Sequence, residues 1–289
     1  MLIRRQDIGV LLFYYLGYSK IRNCLFRLQS KPITRFVAFH DIDPDSVRYF
    51  ESNLNFLKRY TNVISFDDYM AGRLNVERLN VVITFDDGFK SWITHALPIL
   101  QKLSLPATFF ISAGFVGLSA DDETAFLQSN LRIEQSSLQH NTGGLTCDDV
   151  KMISDHGFTV GGHTLSHCNL SELHDSSRLK YEIVEDKFTL ERLTGTRVDY
   201  FAYPLGVYHN PVVNIVNVLC DAGYKGAVTT IPGFNNRYTN PFLLHRELTG
   251  ASMHAAVFKA RVCGNYDAVQ RLKQIMRLHQ CLQAVHYFL

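Results

Sequence analysis

Short runs of apolar, β-branched and aromatic residues alternate along this chain with segments that repeat every three to four residues. The runs at 36–40, 63–66, 81–85, 107–112, 158–161, 200–203 and 226–229 have the length and composition of buried strands. Between them, Val47, Phe50, Leu54 and Leu57 fall on one helical face. So do Leu179, Ile183, Leu190 and Leu193, in a helix that ends at Gly195. Thr146-Cys147-Asp148-Asp149 has the form of a capping box, with an acidic residue standing in for Glu or Gln. It opens a helix that stops near Gly157. Repeated strand–helix alternation predicts parallel strands with covering helices. About seven such units predict an α/β fold, a distorted (β/α) barrel in a single domain over residues 35–289.

Two segments break the rhythm. Residues 121–144 are polar, lack a clean period and follow a strand, which predicts either a lid or binding loop or a tolerated surface insertion. Residues 1–34 form a separate apolar and basic helical segment. Arg4 and Arg5 precede a mostly apolar stretch, 8–18, which is short of the ~20 residues a bilayer span needs. It resembles the apolar region of a signal peptide, yet no A-x-A-like cleavage site follows. Tyr14, Tyr15 and Tyr18, with Lys20, Arg22 and Arg27 after them, suit a helix lying on a membrane surface; a helix packed on the domain is the alternative. The expected location is the cytoplasm or the face of the cytoplasmic membrane, with export left open.

Hydrophobic residues make up 46% of the 289, enough for a large core. The formal net charge is +2 and no long basic run exists, which argues against nucleic acid as a partner. The six cysteines form no C-x-x-C pair and fit reduced thiols better than a disulfide framework. Cys168, beside His167, is either a ligand or a small packing residue. Trp92 is either a sugar-stacking platform or a packed helix residue.

Two motifs carry chemistry. Thr84-Phe85-Asp86-Asp87-Gly88 places adjacent carboxylates at the end of the apolar run Val81-Val82-Ile83. His163-Thr164-Leu165-Ser166-His167 places two imidazoles four residues apart, just after Gly161-Gly162. One carboxylate and two imidazoles make a three-ligand site for a divalent metal with a position open to water, and the second carboxylate is left as a base. In parallel α/β architectures functional side chains gather at the carboxyl ends of strands. His40 with Asp41, the Asp pair, His163 and the Tyr203-Pro204-Leu205-Gly206 turn all lie at such ends. Asp-Asp-Gly alone reads as a common turn, and two histidines alone as a helix edge; their joint placement points to a metal site.

With these residues in view, the chain resembles the polysaccharide deacetylase family, the NodB-homology or carbohydrate esterase family 4 domain, from roughly residue 35 to 250. Residues 84–88 match its T-F-D-D-G motif in full and 163–167 its H-[ST]-x-[ST]-H motif in full. Phe201-Ala202-Tyr203-Pro204-Leu205-Gly206 is similar to the F-A-Y-P-x-G form of its third motif, and Phe39-His40 to the Y-H of many first strands. The resemblance implies a distorted barrel and metal-dependent removal of an N-acyl group from an amino sugar. It implies Asp87, His163 and His167 as ligands of a divalent metal, commonly zinc, and Asp86 as the base that deprotonates the attacking water. The Leu205 backbone N–H would help bind the oxyanion, with Tyr203 beside it at the substrate.

The chain departs from the family pattern where an Arg often contacts the base: Phe201 stands there, so another group must orient Asp86. The late motifs are indistinct. His245, in Leu243-Leu244-His245-Arg246, is a candidate for the acid that protonates the leaving amine, with Arg246 then matching the family; His40 is its rival. The leading expectation is an N-deacetylase acting on an N-acetylated saccharide in a glycan or its precursor. The alternatives are a deacetylase or deformylase of a small or lipid-linked sugar, with peripheral membrane contact through the N-terminus, and a non-catalytic saccharide binder.

Overall fold

All but one of the apolar runs become strands buried on both faces, the condition under which parallel strands lose their polar alternation. The structure, a computed structural model, describes residues 5–28, 31–136 and 143–270. The strands are β1 (Thr34–Phe39), β2 (Asn62–Val63), β3 (Asn80–Asp87), β4 (Thr108–Ile111), β5 (Thr159–Gly162), β6 (Tyr200–Ala202), β7 (Gly226–Val228) and β8 (Arg246–Leu248). Seven of them run in the parallel order β7-β6-β5-β4-β3-β1-β8. Leu244, just before β8, bridges Val228 of β7, so the sheet nearly closes into the expected barrel.

Alternate residues face alternate sides. Phe36, Val82, Phe110, Tyr200, Val228 and Leu244 fill the barrel interior. Val37, Phe39, Ile83, Phe85 and Phe109 face outward into a larger core under the helices. There α3 (Val47–Tyr60) buries Phe50, Leu54 and Leu57; α4 (Phe66–Met70), α5 (Leu97–Leu103), α6 (Ala120–Ser129) and α7 (Cys147–Asp155) follow; α8 (Ser176–Thr194) buries Leu179, Ile183 and Leu190, and α9 (Ile215–Asp221) comes after it. The capping box at Thr146 is present in full and opens a helix at Cys147–Asp155.

Two expectations need correction. The run 63–66 supplies only the two-residue β2, which pairs with the start of β3 off the main path. The seventh stave is instead β8, whose Arg-Glu-Leu sequence hides it from any apolar pattern because its charges are buried and paired. The polar segment 121–144 is neither a bare lid nor a loose insertion in its first half. Ala120–Ser129 is a helix capped by Ser119, and it buries Phe126 and Leu127. Phe126 stacks on Phe115 at 4.9 Å. One apolar pair in ten residues is too little to show a period. Residues 137–142 lie outside the described residues.

The N-terminal segment folds as α1 (Arg5–Tyr15) and α2 (Tyr18–Leu28). Val10 packs with Ala260 and Val269, and Asp7 pairs with Arg261 at 3.3 Å, which seats α1 on α10 (Ala255–Val262). Among the described residues no helix is long and apolar enough to cross a membrane.

Candidate metal centre

Strand β3 aims Val82 and then Asp86 into the barrel, and Asp87 ends it with φ 92°. Thr164 (φ 60°), His167 (φ 51°) and Leu205 (φ 57°) are also left-handed. A non-glycine residue held there costs about 1–3 kcal/mol, a strain that clusters at functional sites. Among the described residues, four of the six such residues fall in the three sequence motifs at 84–88, 163–167 and 201–206.

Asp87, His163 and His167 converge. Each offers a ligand atom, all within 4.8 Å of one another, and all three side chains are buried. One oxygen, Asp87 Oδ1, lies 3.4 Å from Nε2 of both histidines. The other ring nitrogens are already engaged: Nδ1 of His163 bonds the Ala202 carbonyl at 2.7 Å, and Nδ1 of His167 the Asn130 carbonyl at 3.0 Å. A carbonyl only accepts, so each Nδ1 carries a proton, and each Nε2 is the atom that would give its lone pair to a metal. That is the tautomer a metal ligand needs. Two imidazoles and a carboxylate are a donor set suited to zinc with a position open for water.

The histidine loop is held from below by α8, and sequence reasoning missed this. Asp186 accepts from the backbone N–H of His163 and of Ala113, both at 2.8 Å. Glu182, fully buried, accepts from the Ser166 N–H and hydroxyl, both at 2.9 Å. Asn130 closes the third side, donating from Nδ2 to the Ser166 carbonyl at 2.7 Å. Glycines make the approach possible. A Cβ at Gly162 would lie 2.7 Å from Asp186 Oδ2, and one at Gly161 2.4 Å from the Phe110 ring. A signal for the support existed: Glu182 and Asp186 sit four apart in the apolar stripe of α8, where carboxylates are rarely buried.

Asp86 is oriented by Arg246. The guanidinium donates from Nη1 to Asp86 Oδ1 at 2.6 Å and from Nε to the Thr229 carbonyl at 2.8 Å. It thus makes the contact to Asp86 that Phe201, which points outward into the helix-covered core, does not. Burial pushes both carboxyls up, but the neighbours reverse the sign. Arg246 and His163 bring Asp86 below the usual carboxylate range; His163, His40 and His167 do so for Asp87. Asp86 therefore stays ionised.

The other expected site residues separate. His40 follows β1 directly after the Phe39–Phe85 register pair, which places it beside Asp86 at the same strand ends, and Trp92 Nε1 donates to its carbonyl at 3.1 Å. His245 is not brought to the cluster. Strand alternation turns it away from Arg246, and its ring packs against Gly233 with Asp267 and Arg35 as its charged neighbours. Tyr203, expected at the substrate, is fully buried and donates to the Phe242 carbonyl at 2.9 Å, so its side chain anchors the turn instead. Leu205 is 44% exposed in the Pro204–Gly206 turn that follows the Ala202 carbonyl. Cys168 lies outside the ligand group; burial and then Glu182 push its thiol up to about 12, so it stays protonated. Trp92 is fully buried against Phe85 and Phe109 and is no sugar platform.

The family model described as polysaccharide deacetylase matches residues 74–227, more than half of the chain. YxkH of Bacillus subtilis (strain 168), whose name places it among the polysaccharide deacetylases, is 25% identical over 182 residues. That match covers 63% of this chain and 56% of YxkH, so the chain spans little more than half of that relative's length. IcaB from Ammonifex degensii superposes with a TM-score of 0.64 at 23% identity, over 81% of this chain and 97% of that one. The Streptococcus pyogenes deacetylase PplD superposes with a TM-score of 0.61 at 19% identity, over 80% and 98% respectively. These structural likenesses share the barrel, and the family match spans both motifs that build the cluster. The chain belongs to the polysaccharide deacetylase family.

Proposed function

We propose that this protein is a zinc-dependent N-deacetylase of an N-acetylated amino sugar in a polysaccharide or glycan precursor. The observation that carries the reading is the Arg246–Asp86 pair set beside the Asp87, His163 and His167 cluster. A saccharide-binding relative would need ligands or a base for nothing; a hydrolase needs both. A divalent cation held by Asp87, His163 and His167 would polarise the amide carbonyl and make a water more acidic. Asp86, kept ionised by Arg246, takes the proton from the attacking water. The Leu205 N–H binds the developing oxyanion. His40 gives a proton to the departing amine.

The test is acetate release from N-acetylglucosamine oligomers by the zinc-loaded full chain. The reading expects release that falls about 10²–10⁴-fold in His40→Ala, with metal content unchanged. Saccharide binding without turnover, unaffected by zinc, would move the protein to the non-catalytic binders.

A further inference from the structure

Helix α1 is apolar over most of its surface, and among the described residues only one side of it is covered. Asp7, Val10, Leu11 and Tyr14, spaced three and four apart, face the domain. The opposite positions, Ile8, Leu12, Tyr15 and Leu16, repeat with the same spacing and are 57–73% exposed. Helix α2 continues the bare face with Ile21 (64% exposed) and Leu25 (54%). A helix apolar on every side is at equilibrium only when buried on every side.

The helix pair is fixed to the barrel rather than trailing from it. Arg22 reaches beneath α2 to the Gly264 carbonyl and, more closely, to that of Cys263, at the end of α10. Its guanidinium lies 4.3 Å above the Phe234 ring. The apolar face is therefore presented in a set orientation.

Charge identifies what would cover it. Of the 29 Lys and Arg, six lie in residues 1–34; of the 27 Asp and Glu, only Asp7 does, and it is buried against Arg261. The remaining residues thus carry a net negative charge, and the basic excess of the chain is confined to the segment with the bare apolar face. Lys20 and Lys31 are both exposed there. An exposed apolar face on a segment of net positive charge, with Lys20 and Lys31 exposed, matches the interface of an anionic bilayer, where each basic residue near the surface adds about 1 kcal/mol. Eleven residues rise roughly 16 Å, about half of a hydrocarbon core, so α1 lies along the surface and does not enter it end-on.

We infer that α1 and α2 form a docking face for an anionic lipid surface, with Ile8, Leu12, Tyr15, Leu16, Ile21 and Leu25 as the inserted side chains. This does not rest on the catalytic assignment, because binding to vesicles needs no turnover.

The test is co-sedimentation of the full chain with phosphatidylcholine vesicles, with and without phosphatidylglycerol. The protein should pellet with the anionic vesicles and far less with the neutral ones, and added salt should weaken the binding. Leu12→Ser combined with Leu16→Ser alters only exposed positions. It should reduce partition by roughly tenfold or more, with metal content and thermal unfolding unchanged. Lys20→Glu should weaken binding to anionic vesicles alone. Wild-type protein that stays in solution with both vesicles would overturn the inference, as would a double variant that binds like the wild type. A dimer in light scattering that the double variant dissolves would show that a second copy covers the face instead.

Discussion

Arg246 donates to Asp86 at 2.6 Å across the barrel interior, from strand β8 to strand β3, with both side chains almost wholly excluded from water. Strand β1 lies between them, and its Phe36 is in register with both Val82 and Arg246. Removing one partner of such a pair leaves the other charge buried and uncompensated, a loss of about 3–5 kcal/mol. Arg246→Gln should therefore lower stability and cut deacetylation about 10²–10⁴-fold, while zinc content stays near that of the wild type. Arg246→Lys should recover part of the activity, because one ammonium cannot reach both the Thr229 carbonyl and Asp86 as the forked guanidinium does. Loss of zinc along with activity would mean that Arg246 holds the whole loop set and not the base.

Asp186 reaches the cluster through the backbone of His163, so in the proposed reaction it is a positioning residue. Its two oxygens take the His163 and Ala113 N–H groups, and Asp186→Asn can accept only one of them. The expected result is a 10–100-fold weaker zinc affinity, measured by competition with a chromophoric chelator, with activity restored at saturating zinc. A lowered kcat at saturating zinc would instead give Asp186 a part in the chemistry.

Outside the barrel, Glu247 bonds Arg261 at 3.0 Å and lies 3.8 Å from Arg35, while Asp267 and Asp7 pair with the same two guanidiniums. Three buried or half-buried carboxyls thus share two positive charges. Burial pushes the Glu247 carboxyl up to about 7 from its ordinary 4.5, and the two arginines only partly offset this. The folded state then binds the proton more tightly than the unfolded chain. The stabilisation is full below pH ~4.5 and is lost as pH rises through ~7, by about 3 kcal/mol. The urea midpoint should fall across that window, and Glu247→Gln should flatten the fall. A wild-type midpoint that rises from pH 5 to 7, with Glu247→Gln following it, would contradict this.

The sequence revealed the parts of the fold and site that rest on local pattern. Val81 to Phe85 read as a strand because it is buried on both faces, and the two complete motifs located Asp86, Asp87, His163 and His167. The barrel's seventh stave did not read, because Arg246 and Glu247 carry its burial through ion pairs rather than apolar side chains. The supports of the histidine loop were equally hidden. Asp186 is 23 residues from His163 and Asn130 is 37 from His167, and only the topology brings them together. His40 and His245 could not be ranked by spacing; strand alternation separates them, since it turns Arg246 inward and His245 out.

Elemental analysis of the purified protein and of Asp87→Ala and Asp86→Asn, paired with acetate release, tests the centre most directly. The account predicts near-stoichiometric zinc in the wild type and in Asp86→Asn, zinc lost in Asp87→Ala, and acetate release abolished in both variants. Zinc retained in Asp87→Ala, or full activity in Asp86→Asn, would contradict it.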